Sequence, residues 1–236
     1  FNAPDAAALQ RMDLASFTVD WDALRAINPD VVGWIYVPGT TVNFPIVHGT
    51  DDEHYLKTDF YGQTSWVSFG SIFLSAANAA DFSDANNIVY GHHMNDGSMF
   101  SPFADFGDAD TFNGHRIVYV FTPAANYQLT TFSIVHCAAD DPLAQTTFAS
   151  EQERQAYVQD KVDRSVVTVA GLPSAADMKR TFAFSTCDNL ASNGRWVLFA
   201  YESGSTAAAS SVVADDSNIN PEDVAAVSEA AKETAA

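Results

Sequence analysis

Cys187 and Arg195 stand on either side of a polar turn, at the facing ends of two apolar runs, residues 181–187 and 195–200. Both runs interleave aromatic and β-branched residues with Ser, Thr or Arg, the pattern of short paired strands. Cys187 then leaves one strand where Arg195 enters the next, and thiol and guanidinium face each other across the mouth of a hairpin. A cysteine nucleophile needs a base or a cation beside it, because a free thiol titrates near ~8.5 and is mostly protonated at neutral pH. His92 is the candidate base, delivered at the end of an apolar run by Tyr90-Gly91. Arg195 supplies a permanent cation with several donors on a planar fork, suited to the oxyanion that forms in acyl transfer.

The residues alone leave open that Cys187 is a small buried hydrophobe, the commoner fate of a lone cysteine. Cys137 follows His136 at a strand end without an Arg-bearing partner hairpin, and reads as a buried structural thiol. His92 and His93 are neighbours, which on a strand point to opposite faces, so one of them serves the site. His48, His54, His92 and His93 form neither a His-x-x-x-His helix nor a Cys-x-x-Cys pair, and no metal site is expected. Two cysteines are too few for a disulfide framework or a structural zinc, although an even count leaves Cys137 and Cys187 able to pair with each other.

The elements that must position these groups are legible in outline. Pro4-Asp5 opens a first helix, and Asp20 caps a second over 21–27 that Asn28-Pro29 stops. Residues 31–37 and 43–48 form a hairpin around Pro38-Gly39. Strand candidates follow at 70–75 and 87–90, then an apolar helix at 99–106. Two longer strands, 116–122 and 127–137, flank the turn at Pro123. Ser150-Glu-Gln-Glu is a capping box for a helix through Val162. About eight strands with added helices predict an α+β fold built on a closed or nearly closed β-barrel. Beyond residue 203 the composition shifts to Ala, Ser, Asp and Glu, an acidic tail in which Asn220-Pro221 can start a short helix.

Thirty acidic against eleven basic residues give a net charge of −19. Such a surface repels nucleic acid and anionic lipid, and favours a basic or amine-bearing partner. No run of about 18 apolar residues is present, so no membrane-spanning helix is expected. A chain opening at Phe1 reads as a mature or truncated piece.

Taken together the motifs resemble the sortases, and within them class B. The resemblance rests on Ser185-Thr186-Cys187 with Arg195 on the next strand and on Tyr90-Gly91-His92. It extends to Asn28-Pro-Asp-Val-Val-Gly-Trp-Ile-Tyr-Val-Pro-Gly-Thr40, Asn43-Phe-Pro-Ile-Val47, Asp59-Phe-Tyr-Gly62, Gly70-Ser-Ile-Phe73 and Gly97-Ser-Met-Phe100. It covers residues 20–203 and implies an eight-stranded sortase barrel over 29–203, an amino-terminal helical extension over 1–28, a crossover helix before the Cys strand, and a tail over 204–236. It also implies a cysteine transpeptidase that needs no cofactor. Cys187 is then the nucleophile and His92 the acid and base, while Arg195 stabilises the oxyanion or holds the substrate backbone. Ser185, Thr186, Leu56 and Asp52 line the substrate groove, with Asp52 standing where the family often has Asn.

The implied substrate is a surface protein or pilin bearing a carboxy-terminal sorting motif, cleaved after its threonine. The acceptor is an amine, from a peptidoglycan precursor or a pilin lysine. The implied enzyme is a monomer on the outer face of a Gram-positive membrane, held by an anchor that this sequence lacks. Two other readings differ in kind: a cysteine hydrolase that passes the acyl group to water, and a β-barrel binding module with inert cysteines.

Overall fold

Strand alternation sorts the apolar residues to two sides of one curved wall. The computed structural model describes residues 14–64, 70–141, 145–190 and 193–206. Its eight strands are β1 (Val31–Tyr36), β2 (Asn43–His48), β3 (Ile72–Leu74), β4 (Asn86–Tyr90), β5 (Ile117–Phe121), β6 (Asn126–Cys137), β7 (Thr181–Cys187) and β8 (Arg195–Ser205). They close into a barrel in the order β1-β2-β3-β4-β7-β8-β6-β5. The β2–β3 and β4–β7 pairs are parallel and the rest antiparallel. The eight-stranded barrel expected from the sequence is therefore present, and its two parallel seams are what local patterning did not reveal.

The interior is filled by one face of each strand, including Ile35, Val89, Phe182, Phe184 and Leu198, all essentially inaccessible. Phe100 and Phe103 close it beneath the β4 exit, with ring centroids 4.7 Å apart and contacts to Phe184. Such aromatic pairs add about 0.5–1.5 kcal/mol each beyond area burial. The helix expected over 99–106 is shorter, α3 (Pro102–Asp105), and is followed by α4 (Ala109–Gly114), where Asp108 caps the chain by accepting from Thr111 N–H.

Two outer layers cover the wall. A 3-10 turn (Leu14–Ser16) and α1 (Trp21–Ile27) lie over β1 and β5, with Phe17 stacked on Phe121 at 4.8 Å and Leu24 fully buried. Asp20 caps α1 as expected, accepting from Ala23 N–H. On the other side α5 (Glu151–Asp163) seats Tyr157 and Val158 against Ile88, Phe132, Ala183 and Phe199. Ser150 caps it by accepting from Glu153 N–H, whereas the Glu153 carboxylate reaches Ala149 N–H, one residue before the reciprocal position of a capping box. β8 runs to Ser205, so Gly204 and Ser205 pair with Gln128 and Tyr127 and belong to the barrel wall. The helix expected near Pro4 and the helix expected after Asn220 lie outside the described residues.

Candidate active site

The cysteine strand is buried from Thr181 to Thr186 and opens only at its last residue, Cys187. Phe182 and Phe184 face the barrel interior and Ala183 faces α5, so by alternation Ser185 and Cys187 lie on the outer face. Cys187 and Arg195 are direct partners in the β7–β8 register, the arrangement the hairpin pattern predicts. Directly opposed residues share a face, with Cβ atoms about 4.5–5.5 Å apart. Arg195 is steadied by its own turn, Nη1 donating to the carbonyls of Gly194 at 2.9 Å and Asn193 at 3.2 Å. Nη1 also lies 3.4 Å from Asn193 Oδ1, so this one nitrogen makes all the hydrogen bonds of the guanidinium to the described residues.

His92 arrives by the parallel seam. Tyr90 stands beside Ser185 in the β4–β7 register, and Gly91 N–H donates to the Ser185 carbonyl at 3.1 Å. Two residues further along each chain are His92 and Cys187. The turn passes so close to the core that a Cβ on Gly91 would lie 2.5 Å from Ile72 and 2.6 Å from the Phe100 ring, which only glycine avoids.

The His92 ring is held by Leu56, whose carbonyl lies 2.7 Å from Nε2. A carbonyl only accepts, so Nε2 carries a proton and Nδ1 is the nitrogen left to take or give one. Leu56 belongs to α2 (His54–Lys57), a single turn anchored by its neighbour Tyr55. The Tyr55 hydroxyl donates to Asp30 Oδ2 at 2.7 Å, and its pKa is pushed up to about 12, mainly by burial and then by Asp30. Thus the Asn28-Pro-Asp segment at the barrel entrance supports, through Tyr55, the carbonyl that orients His92.

His93 goes elsewhere. Its Nδ1 lies 2.8 Å from the Cys187 carbonyl, to which it donates, and its own carbonyl accepts from Asn189 Nδ2 at 2.9 Å. It braces the backbone of the cysteine strand.

Cys187, His92 and Arg195 open on one cleft of about 260 Å³. Ser185, Thr186, Leu56 and Asp52 line it too, so the seven residues expected at the site border one space. Asp52 is bound at its rim, Oδ2 accepting from the Ser75 hydroxyl at 2.9 Å and Oδ1 from Ala76 N–H at 2.6 Å. Thr186 borders the cleft through its backbone: alternation turns its side chain inward with Phe182 and Phe184, and its hydroxyl oxygen is buried without a partner. Sequence reasoning missed Phe73, Ala139 and the side chain of Tyr90, which also line the cleft. Burial pushes the Tyr90 phenol up, Asp52 adds to this, and Ser75 and Arg195 oppose it, so the ring lies within reach of both charges. The parallel register was the missing signal, because it alone sets Tyr90 beside Ser185. A smaller hollow of about 120 Å³ adjoins along the wall, sharing Tyr90, Ala139, Ser185 and Arg195 and floored by Ile88, Ala183 and Val197.

Both cysteines are free thiols. They cannot pair in this fold: Cys137 and Cys187 are each the register partner of Arg195, so a whole strand stands between them. The expectation that Cys137 lacks an arginine neighbour is also corrected, since β8 brings Arg195 to it from the far side of the hairpin.

No family model matches the chain. Sortase B of Staphylococcus aureus (strain NCTC 8325 / PS 47) is 30% identical over 169 residues, covering 72% of this chain and 68% of that protein. Sortase B of Listeria monocytogenes serovar 1/2a is 30% identical over 190 residues, covering 78% and 76%. Among solved structures, Clostridium perfringens sortase B superposes with a TM-score of 0.72 at 29% identity, covering 77% of this chain and 98% of that one. A Staphylococcus aureus sortase B–substrate complex gives 0.70 at 28%, covering 78% and 85%.

Proposed function

The chain belongs to the class B sortases, cysteine transpeptidases that act on sorting-motif substrates, and from that premise we infer the roles of its residues and its task. The observation that carries the reading is the double register: Tyr90 with Ser185, and Cys187 with Arg195, bring a base and a cation to one thiol. In this reading the Cys187 thiolate attacks the carbonyl after the threonine of a carboxy-terminal sorting motif. Arg195 donors meet the oxyanion or the substrate backbone, and the tetrahedral intermediate collapses as His92 gives a proton to the departing amine. The S–C bond has then formed and the peptide C–N bond has broken. An incoming amine attacks the thioester, His92 takes its proton, and the Cys187 thiolate departs.

The adjoining hollow and the cleft give the peptide a continuous path along the outer wall of β4 and β7, ending at Cys187. The net charge of −19 favours a cationic amine over an anionic acceptor. We place the enzyme at the outer surface of a Gram-positive cell, joining a surface protein to peptidoglycan or one pilin to the lysine of another. Among the described residues no helix is long and apolar enough to cross a membrane.

The test is a sorting-motif peptide supplied with and without an amine acceptor. Wild-type protein yields cleaved peptide and, with the amine, a ligated product, and Cys187→Ala yields neither. Cleavage that never produces a ligated product at any amine concentration would move the assignment to a hydrolase.

A further inference from the structure

Beside Cys187 lies a buried carboxyl group that takes no part in the proposed acyl transfer. Asp188 follows Cys187 directly, and its side chain is 1% exposed. Oδ2 accepts from His136 Nε2 at 2.9 Å and Oδ1 from Leu190 N–H at 2.9 Å, while the Asp188 N–H donates to the Gly194 carbonyl at 3.1 Å. The carboxylate therefore fills the inside of the β7–β8 turn. Gly194 has no side chain because none fits: a Cβ would lie 2.4 Å from Asp188 Oδ2 and 2.8 Å from the Cys137 carbonyl.

His136 is fixed in turn. It is the register partner of Trp196 in the β6–β8 pair, and the two rings stack at 4.3 Å with 15° between their planes. Arg195 lies between Gly194, which closes on Asp188, and Trp196, which closes on His136. The carbonyls that hold its Nη1, those of Gly194 and Asn193, belong to the same turn. The His92 ring is bound on the opposite wall, to the Leu56 carbonyl.

We propose that Asp188 and His136 are positioning residues, which lock the β7–β8 turn so that the Arg195 guanidinium faces the Cys187 thiol. The inference rests on the catalytic roles given above to Cys187 and Arg195. The physical reason is that a carboxylate this deep must be met by donors or it is expelled. The donors come from the turn after the nucleophile (Leu190 N–H) and from β6 (His136 Nε2), while the Asp188 backbone N–H ties the same residue to the Gly194 carbonyl beside the arginine. Loosening it displaces Arg195 relative to Cys187, and a displacement of about 1 Å at a reacting centre costs about 100-fold in rate.

The experiment compares Asp188→Asn, His136→Gln, His136→Ala and the Asp188→Asn/His136→Ala double variant in peptide cleavage, with Cys187→Ala alongside. Asp188→Asn is expected to lose about 100-fold in kcat with KM within about twofold, since the peptide path is unchanged. His136→Gln, which keeps an N–H donor toward Asp188, is expected to retain about tenfold more activity than His136→Ala. The double variant should lose no more than its worse single variant, because the two residues act as one unit. Asp188→Asn within about twofold of wild type, Gln no better than Ala at 136, or additive losses in the double variant would each overturn the proposal. Should Asp188→Asn not fold, the Gln-to-Ala ratio at 136 decides. Full activity in Cys187→Ala would instead overturn the catalytic reading itself, and the two failures are thereby distinct.

Discussion

Cys187 and Cys137 occupy mirror positions about Arg195, one opposite it on β7 and the other on β6, and both are half-buried on the outer face of the barrel. The difference lies in what reaches each from a third direction. Cys187 ends its strand at the mouth of the cleft, where the parallel seam brings His92. Cys137 points its thiol at the Arg195 carbonyl, 3.8 Å away, and packs against the cluster beneath α5. Burial pushes its thiol pKa up, Asp141 adds to this, and Arg164, Arg195 and Lys161 only partly oppose it. Both thiols have the arginine neighbour, and Cys137 itself lines the smaller hollow, so what sets Cys187 apart is the His92 ring that shares its cleft, and what holds Cys137 back is the burial of its thiol.

The largest test of that contrast is paired substitution. Cys187→Ala should reduce peptide cleavage at least about 10³-fold, whereas Cys137→Ala should remain within about twofold. Comparable losses at both positions would erase the distinction. Next in size is the histidine pair. His92→Ala is expected to cost about 10²–10⁴-fold in kcat, the range of acid–base catalysis, and His93→Ala no more than about tenfold, through a Cys187 carbonyl that has lost its donor. A reversed order would exchange their roles.

A third test reads the thiols directly. Alkylation followed by mass spectrometry at neutral pH should modify Cys187 first, because it borders the open cleft. Cys137 should react slowly and gain rate only as pH rises, since burial keeps its proton on. Equal rates at neutral pH would mean that the two environments do not differ as described.

Much of this contrast was readable in the sequence, and the rest was not, for identifiable reasons. The β7–β8 hairpin, the Asp20 and Ser150 caps and the choice of Cys187, His92 and Arg195 depend on local pattern: alternation, turn chemistry and caps act over a few residues. The meeting of His92 with Cys187 depends on a parallel pair, whose partners are distant in the chain and leave no periodic trace. The bond from Leu56 to His92 and the one from His136 to Asp188 cross between elements in the same way. Resemblance to a family pointed to the first of these three meetings, but it said nothing of the other two, which depend on contacts between distant elements of this chain.

The smallest test concerns the wall that buries Cys137. Arg154 of α5 is itself buried and donates to the carbonyls of Met178 and Ala175 in the segment leading into β7. Its charge is met by Glu151, with Nη2 2.6 Å from Oε1. Chiefly through that bond, the Glu151 carboxyl is lowered from 4.5 to about 2. A carboxyl depressed in the folded state adds stability above its unfolded value and loses it as pH falls through the folded one. The contribution should therefore be complete above pH 4.5 and fade toward pH 2. Glu151 is exposed, so the effect is small and weakened by salt. Melting temperatures of wild type and Glu151→Gln, followed from pH 6 downward, should converge across that window. Curves that stay parallel would mean that Arg154 is held by its carbonyl partners alone, and that the Cys137 side of the barrel does not depend on this ion pair.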